Sequence, residues 1–274
     1  IINLRFSITK NISFTNSISI DLGRFFPKKT IAFEHWPLVK YETHPILLKK
    51  IKKTYSKLDS IIVLNQNELK KYNDLLDSNN KNIHLIYNST SPVNINIPKE
   101  NIVLSIAHFN DQKRNDLLIE SWVKIIKVVE NWKLLIIGEG PNLDYCMQLI
   151  IKNKIEKYIE IIPKTSNVEQ FYSRSKIFVL CSRFEALPMV LIEAKSYALP
   201  CISFDVESGP SEIIKDNVDG FLIEYNNTDL LSNKMLSLMK NEEKLFNMSE
   251  MAYTDYNKRF SPKEIYLKWT KILT

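Results

Sequence analysis

The chain has 274 residues, 45% of them hydrophobic and 25% charged, with a formal net charge of +6. This is an ordinary globular composition with length for one large domain or two modest ones, and no apolar run reaches the length of a membrane span. Cys146, Cys181 and Cys201 are an odd set without metal-site spacing; Cys181 and Cys201 fall in apolar segments and read as small core hydrophobes. The opening IINLRFSITKN has neither a methionine nor a signal-peptide layout, so the chain reads as a cytoplasmic piece of a longer protein.

The charge is uneven. Residues 1–99 hold 15 Lys and Arg against 7 Asp and Glu, whereas residues 100–274 hold 22 against 24. Apolar runs predict strands at 30–34, 60–64 and 83–87, too few for a complete doubly wound domain. Between the first two lies Leu47-Leu-Lys-Lys-Ile-Lys-Lys-Thr-Tyr-Ser-Lys57. Leu47, Ile51, Tyr55 and Leu58 share a helical face there, and lysines cover the rest. Two readings stand: a solvated helix packed on its own domain, or a patch for anionic lipid headgroups or a lipid pyrophosphate at the inner face of a membrane. No nucleic-acid-binding module accompanies the charge, so nucleic acid is not an expected partner.

The Asn-, Ser- and Pro-rich stretch 88–98 reads as a domain boundary. Beyond it strands are predicted at 101–106, 133–138, 158–162, 176–181, 201–205 and 220–223, with helical patterns between them. The clearest helix is 115–130, where Leu118, Trp122, Ile125 and Val129 share a face. Nearly continuous apolar strands alternating with helices predict a parallel α/β sheet covered on both faces, which binds ligands at the carboxyl ends of its strands. The loop after Cys181 and the Gly138-Glu-Gly140 turn lie at such ends. That turn lacks the third glycine of a nicotinamide-binding loop, and Pro141 follows at once, which argues against a dehydrogenase. Glycine is scarce, 5 in the whole chain, so Gly138, Gly140, Gly209 and Gly220 are expected where backbone geometry requires them. A last helix over about 261–273 sets Ile265, Trp269 and Ile272 on one face. The expected division is a partial α/β domain over 1–98, a second α/β domain over 99–258 and a C-terminal helix over 259–274.

The most informative stretch is 181–200, CSRFEALPMVLIEAKSYALP. Pro188 suits a first helical turn, which has no use for its missing N–H, so a helix is expected to begin near Pro188 and stop before Pro200. Free N–H groups at such a start favour a bound phosphate. Glu185 falls in the loop beside them, and Glu193 about one and a half turns along the helix. On a solvated helix the two glutamates would mean little. Beside an anion site they suit a ligand with both phosphate and hydroxyls, such as a nucleotide sugar.

The string Glu185-Ala-Leu-Pro-Met-Val-Leu-Ile-Glu193-Ala resembles the signature of family-4 retaining glycosyltransferases with the GT-B fold, and the likeness extends from residue 102 to about 223. The resemblance implies a doubly wound parallel-sheet C-terminal domain, preceded by part of an acceptor-side α/β domain that lacks its first strand and glycine-rich loop. It implies transfer of a hexose, with retention, from a nucleoside-diphosphate sugar to a cell-surface glycan or lipid-linked oligosaccharide, with no metal or other cofactor. The chain has no Asp-x-Asp pair to hold a cation, and Glu207-Ser-Gly-Pro-Ser-Glu212 resembles a loop of UDP-hexose users. Lys113, in Ser105-Ile-Ala-His-Phe-Asn-Asp-Gln-Lys113, would pair with the diphosphate. His108 stands where the family has arginine, with Arg114 or Arg183 as possible sources of the missing charge. The turn Leu187-Pro188-Met189-Val190 would present N–H groups to the phosphates and sugar. Glu185 would accept sugar hydroxyls and Glu193 ribose hydroxyls. His35, in Ala32-Phe-Glu-His-Trp-Pro37, would lie near the donor sugar. The base would lie against the turns at Gly138 and at Pro163, where the family often has a glycine. These departures leave a second reading, a chain that binds a nucleotide sugar without transferring it.

Overall fold

The computed structural model describes residues 10–35, 38–42, 44–76, 82–91, 98–207 and 209–273, in two compact units, Ile1–Asn88 with Lys263–Thr274, and Ser89–Pro262. The opening segment, Trp36, Pro37, Ser208 and most of the 88–98 stretch lie outside the described residues.

In the first unit four parallel strands, β1 (Asn11–Ser13), β2 (Thr30–Phe33), β3 (Ser60–Val63) and β4 (Ile83–Leu85), pair in chain order. β1 lies outside the predicted strands because three residues carry no period to read. The connections hold α1 (Asn16–Phe25), α2 (Val39–Glu42), α3 (Pro45–Tyr55) and α4 (Gln66–Leu75). α3 buries Ile51 and Tyr55 on the same core as Ile61 and Val63, with Leu47 packed against it and Leu58 following. Lys49, Lys50, Lys52 and Lys53 are exposed. The apolar face read from the sequence is therefore the packed one.

In the second unit β5 (Ile102–Ile106), β6 (Lys133–Ile137), β7 (Ile159–Ile162), β8 (Ile177–Leu180), β9 (Cys201–Asp205) and β10 (Gly220–Glu224) form a parallel sheet of order β10-β9-β8-β5-β6-β7. The first strand lies inside the sheet, and the chain winds outward from it in both directions. Crossovers of one hand then place the helices of the two windings on opposite faces, α5 and α6 together on one and α8 and α9 together on the other, with a crevice at the strand-order reversal between β5 and β8. The helices are α5 (Asn115–Ile125), α6 (Leu143–Asn153), α7 (Glu169–Arg174), α8 (Met189–Ser196), α9 (Pro210–Ile213), α10 (Thr228–Met239) and α11 (Glu242–Arg259). Leu118, Trp122 and Ile125 of α5 are buried with Leu134, Ile136, Phe204 and Phe221. α5 tightens into a 3-10 turn at Ile126–Val128, so it ends before the predicted residue 130. The β-branched run Ile125, Ile126, Val128 and Val129 disfavours its continuation.

The last helix, α12 (Pro262–Leu273), packs within the first unit. Trp269 meets Phe33 edge-on at 5.4 Å, Lys268 lies 5.1 Å over the Tyr87 ring, and Lys10 donates to the Ile272 carbonyl.

Candidate active site

Loops at the carboxyl ends of β5, β6, β7 and β8 build the site. A Cβ on Gly138, after β6, would stand 2.1 Å from the Ala107 carbonyl oxygen, so glycine alone lets the β5 and β6 loops touch backbone to backbone. The Phe109 N–H then donates to the Glu139 carbonyl at 2.8 Å. The loop after β8 is laced to the loop after β5: the Arg183 N–H donates to the Gln112 carbonyl at 2.7 Å, and Gln112 Nε2 to the Phe184 carbonyl at 3.1 Å. Gly209, with φ +86°, brings its segment against the same turn, where an added Cβ would come within 2.9 Å of Pro188 Cδ and 3.0 Å of Glu185 Cβ.

Pro188 is extended, and the first residue of α8 is Met189, one later than the predicted start. Pro188 acts as the residue before the helix, its carbonyl accepting from the Leu191 N–H at 3.0 Å. No side chain caps α8, and with the Leu191 N–H bonded to Pro188 it is the Met189 and Val190 N–H groups that face a guest.

Lys113 Nζ lies 2.6 Å from Glu185 Oε1, with side chains 22% and 9% exposed. This ion pair bridges the loops after β5 and β8. Lys113 lines a cleft of about 330 Å³ together with His108, Gly138, Lys164 and Val190. Lys164 Nζ pairs with Glu139 Oε1 at 3.2 Å. Glu193 accepts from the Tyr172 hydroxyl at 2.9 Å. Burial first, and then the Glu193 charge, push the Tyr172 pKa far up, so this group stays a donor.

Four predicted residues, His108, Lys113, Gly138 and Val190, thus share one cleft, and Glu185 joins them through Lys113. Leu187 and Pro188 are buried in the turn and Met189 is half-buried. Pro163 lines an adjoining, largely apolar cavity of about 480 Å³ with Leu143 and Ile161, and this cavity shares Gly138 and Glu139 with the cleft. Arg114 does not supply the charge missing at His108. Its backbone is left-handed, φ 48°, and its guanidinium is held by Asp116 at 2.8 and 3.0 Å and by the Tyr225 hydroxyl at 3.2 Å. It lines another cavity, of about 270 Å³.

His35 belongs to the first unit. It follows β2, exposed, with its ring 4.4 Å from Phe33 and 5.8 Å from Phe14. Loss of water on that side lowers its pKa, which favours the neutral imidazole. The preceding Glu34 is buried, which raises its pKa, and accepts from the Tyr55 hydroxyl at 2.6 Å and Asn16 Nδ2 at 2.7 Å.

Sequence reasoning missed Tyr172, the Lys164–Glu139 pair and Lys195, which is fully buried. A signal for Lys195 existed: Val190, Leu191, Ile192 and Ala194 make α8 apolar around most of its circumference, and a lysine on a buried helix requires an anionic partner. Burial raises the thiol pKa of Cys181 and Cys201, as befits core side chains rather than nucleophiles. Among the described residues no group of three or more His, Cys, Asp or Glu side chains is arranged to hold a metal ion.

A crevice at a strand-order reversal, with a cation and an uncapped helix start beside it, defines a doubly wound α/β protein with a place for an anionic ligand. Residues 88–255 match the family model described as glycosyl transferases group 1, and the chain belongs to that family. It is 32% identical over 246 residues to the amylovoran biosynthesis glycosyltransferase AmsD of Erwinia amylovora, covering 86% of this chain and 68% of that protein. It is 29% identical over 229 residues to the poly(ribitol-phosphate) alpha-N-acetylglucosaminyltransferase of Staphylococcus aureus, covering 82% of this chain but 45% of that protein. In fold it is similar to Anabaena HepE, solved in complex with UDP, with a TM-score of 0.82 and 15% identity over 96% of this chain and 77% of that one. The architecture is of GT-B type.

Proposed function

We propose that the chain carries the donor site of a retaining hexosyltransferase that uses a UDP-hexose and extends a cell-surface glycan or lipid-linked oligosaccharide. The observation that carries this reading is the Lys113–Glu185 pair at 2.6 Å, held at the cleft by loops on either side of the strand-order reversal. UDP is supported by the structural neighbour solved with it, and a surface polymer as acceptor by the names of the amylovoran and poly(ribitol-phosphate) relatives. Retention rests on the likeness of the 185–193 spacing to retaining transferases.

As the bond between sugar and diphosphate breaks, negative charge grows on the leaving phosphate oxygen. Lys113 and the first-turn N–H groups of α8 stabilise that charge. Glu185 accepts sugar hydroxyls and favours the positive character that grows on the ring. Glu193 accepts the ribose hydroxyls. Leaving-group charge is assigned to protein groups, so donor binding and transfer are expected to persist in excess EDTA.

Calorimetric titration with UDP, GDP and ADP sugars tests the proposal. Binding by none of them removes it. Loss of activity with EDTA, restored by Mn²⁺ or Mg²⁺, overturns the metal-independent assignment. His108 in place of arginine, with Arg114 engaged by Asp116 at 2.8 Å, favours a second reading: binding without transfer. Product formation with a bound sugar donor decides between them.

Peripheral contact with an anionic membrane at its cytoplasmic face is the further part of the proposal. The lysines of α3 are exposed, and Phe25 and Phe26, 76% and 53% exposed, end α1 beside Lys28 and Lys29. The protein is expected to sediment with anionic vesicles at low salt, and less so as the Debye length shrinks below about 10 Å. Equal sedimentation with neutral vesicles would return these lysines to a solvated face.

A further inference from the structure

We infer that Tyr172 is a positioning residue that fixes the Glu193 carboxylate for the ribose of the donor nucleotide. The inference rests on the reading of Glu193 as the ribose acceptor. Tyr172, in α7, is 1% exposed. Its ring stacks on Tyr197 with centroids 5.2 Å apart and planes 16° from parallel, and tilts against Phe178 at 5.7 Å. One partner follows α8 and the other lies in β8, so the ring is held from two elements at once. Its hydroxyl lies 2.9 Å from Glu193 Oε2 and 3.4 Å from the Val190 carbonyl, both on α8.

A glutamate on a helix surface samples several rotamers, and a ligand that needs one of them meets the entropy of selecting it. Here that selection is made when the protein folds. Tyr172 occupies one of the roughly four lone-pair positions of the carboxylate, and the others remain for hydroxyl donors. A nucleotide has such donors at the 2′ and 3′ positions of its ribose. Tyr172 touches none of the reacting atoms, so its effect belongs to binding that is equal in ground and transition states.

Tyr172→Phe keeps the ring and its stacking and removes one O–H. The native protein and this variant are titrated with whichever of UDP, GDP and ADP binds most tightly, and with the 2′,3′-dideoxy form of the same nucleotide. The ribonucleotide is expected to bind about 2- to 12-fold more weakly to Tyr172→Phe, the range set by the ordering of one rotamer-rich side chain. The dideoxy form is expected to bind both proteins alike, which also shows that the variant's site is folded. In steady state KM for the sugar donor rises, with kcat unchanged within about twofold. Equal losses for both nucleotides, or a loss for neither, overturn the inference. Glu193→Gln tests the premise separately. If that variant keeps the native preference for ribose, the ribose reading is wrong and the inference falls with it. If Glu193→Gln abolishes the preference and Tyr172→Phe retains it, the Tyr172 inference alone falls.

Discussion

Replacing Glu185 with glutamine is expected to lower kcat about 10- to 150-fold, the worth of one charge-assisted hydrogen bond of about 1.5–3 kcal/mol. The donor sugar gains positive character as its bond to phosphate breaks, and a nearby carboxylate helps more in that transition state than before it. Glutamine keeps the shape and an acceptor oxygen but loses the charge. The geometry adds a second expectation. Before donor binds, Glu185 Oε1 holds Lys113 Nζ at 2.6 Å, so an incoming diphosphate competes with Glu185 for Lys113. Glutamine competes less. Affinity of Glu185→Gln for the free nucleoside diphosphate should therefore be equal to the native value or higher, while kcat falls. Lys113→Met should do something different: weaken nucleotide binding and lower kcat together. Titrations with nucleotide alone, run beside steady-state kinetics, separate these outcomes. Weaker nucleotide binding by Glu185→Gln with kcat intact would place this carboxylate away from the sugar.

Replacing Lys195 with methionine is expected to destabilise the second unit by about 3–5 kcal/mol, the usual cost of breaking a buried ion pair from one side. Lys195 Nζ donates to the Ile213 carbonyl at 2.8 Å, to Asp219 Oδ2 at 2.8 Å and to Asp255 Oδ2 at 2.6 Å. Asp255 also has Arg259 Nη2 at 2.7 Å and Lys215 Nζ at 2.6 Å. Methionine fills the volume but takes away the ammonium that Asp219 faces. The cluster clamps α8, which carries Glu193, to the 213–219 loop and to α11, so loss of stability here loosens the site as well.

The effect depends on pH in a stated direction. Burial alone would raise the Asp255 pKa. Hydrogen bonds from Arg259, with the charges and hydrogen bonds of Lys195 and the hydrogen bond from Lys215, outweigh burial and hold it well below the ordinary 3.8. A carboxylate whose pKa is depressed in the folded state contributes fully above its unfolded pKa, and that contribution is lost as pH falls through the folded value. The gap in urea stability between native protein and Lys195→Met should therefore be full at neutral pH and narrow below about pH 4. Lys195→Met combined with Asp219→Asn should recover part of the loss, because the orphaned charge goes with it. A gap under about 1 kcal/mol at neutral pH would mean that the cluster behaves like an exposed ion pair.

How much of this was legible in the sequence follows from the range over which each force acts. The strands of the second unit could be read because a continuous apolar run such as β8, with all four residues buried, has few alternatives to a covered parallel strand. The helix after Pro188 could be read because prolines and free N–H groups act within one turn. Scarcity of glycine pointed to Gly138 and Gly209, where backbones press together. The three residues of β1 gave no such signal, since they owe their conformation to pairing with β2. The charge contacts were beyond local reading. Lys113 and Glu185 are 72 residues apart, Lys195 and Asp255 are 60, and Tyr172 and Glu193 are 21. The resemblance offered Arg114 as a substitute for the arginine missing at His108, but its guanidinium is held by Asp116 at 2.8 Å. Backbone preferences are settled within a few residues. Which distant charges meet is settled by strand order, and by the cost of burying any one of them alone.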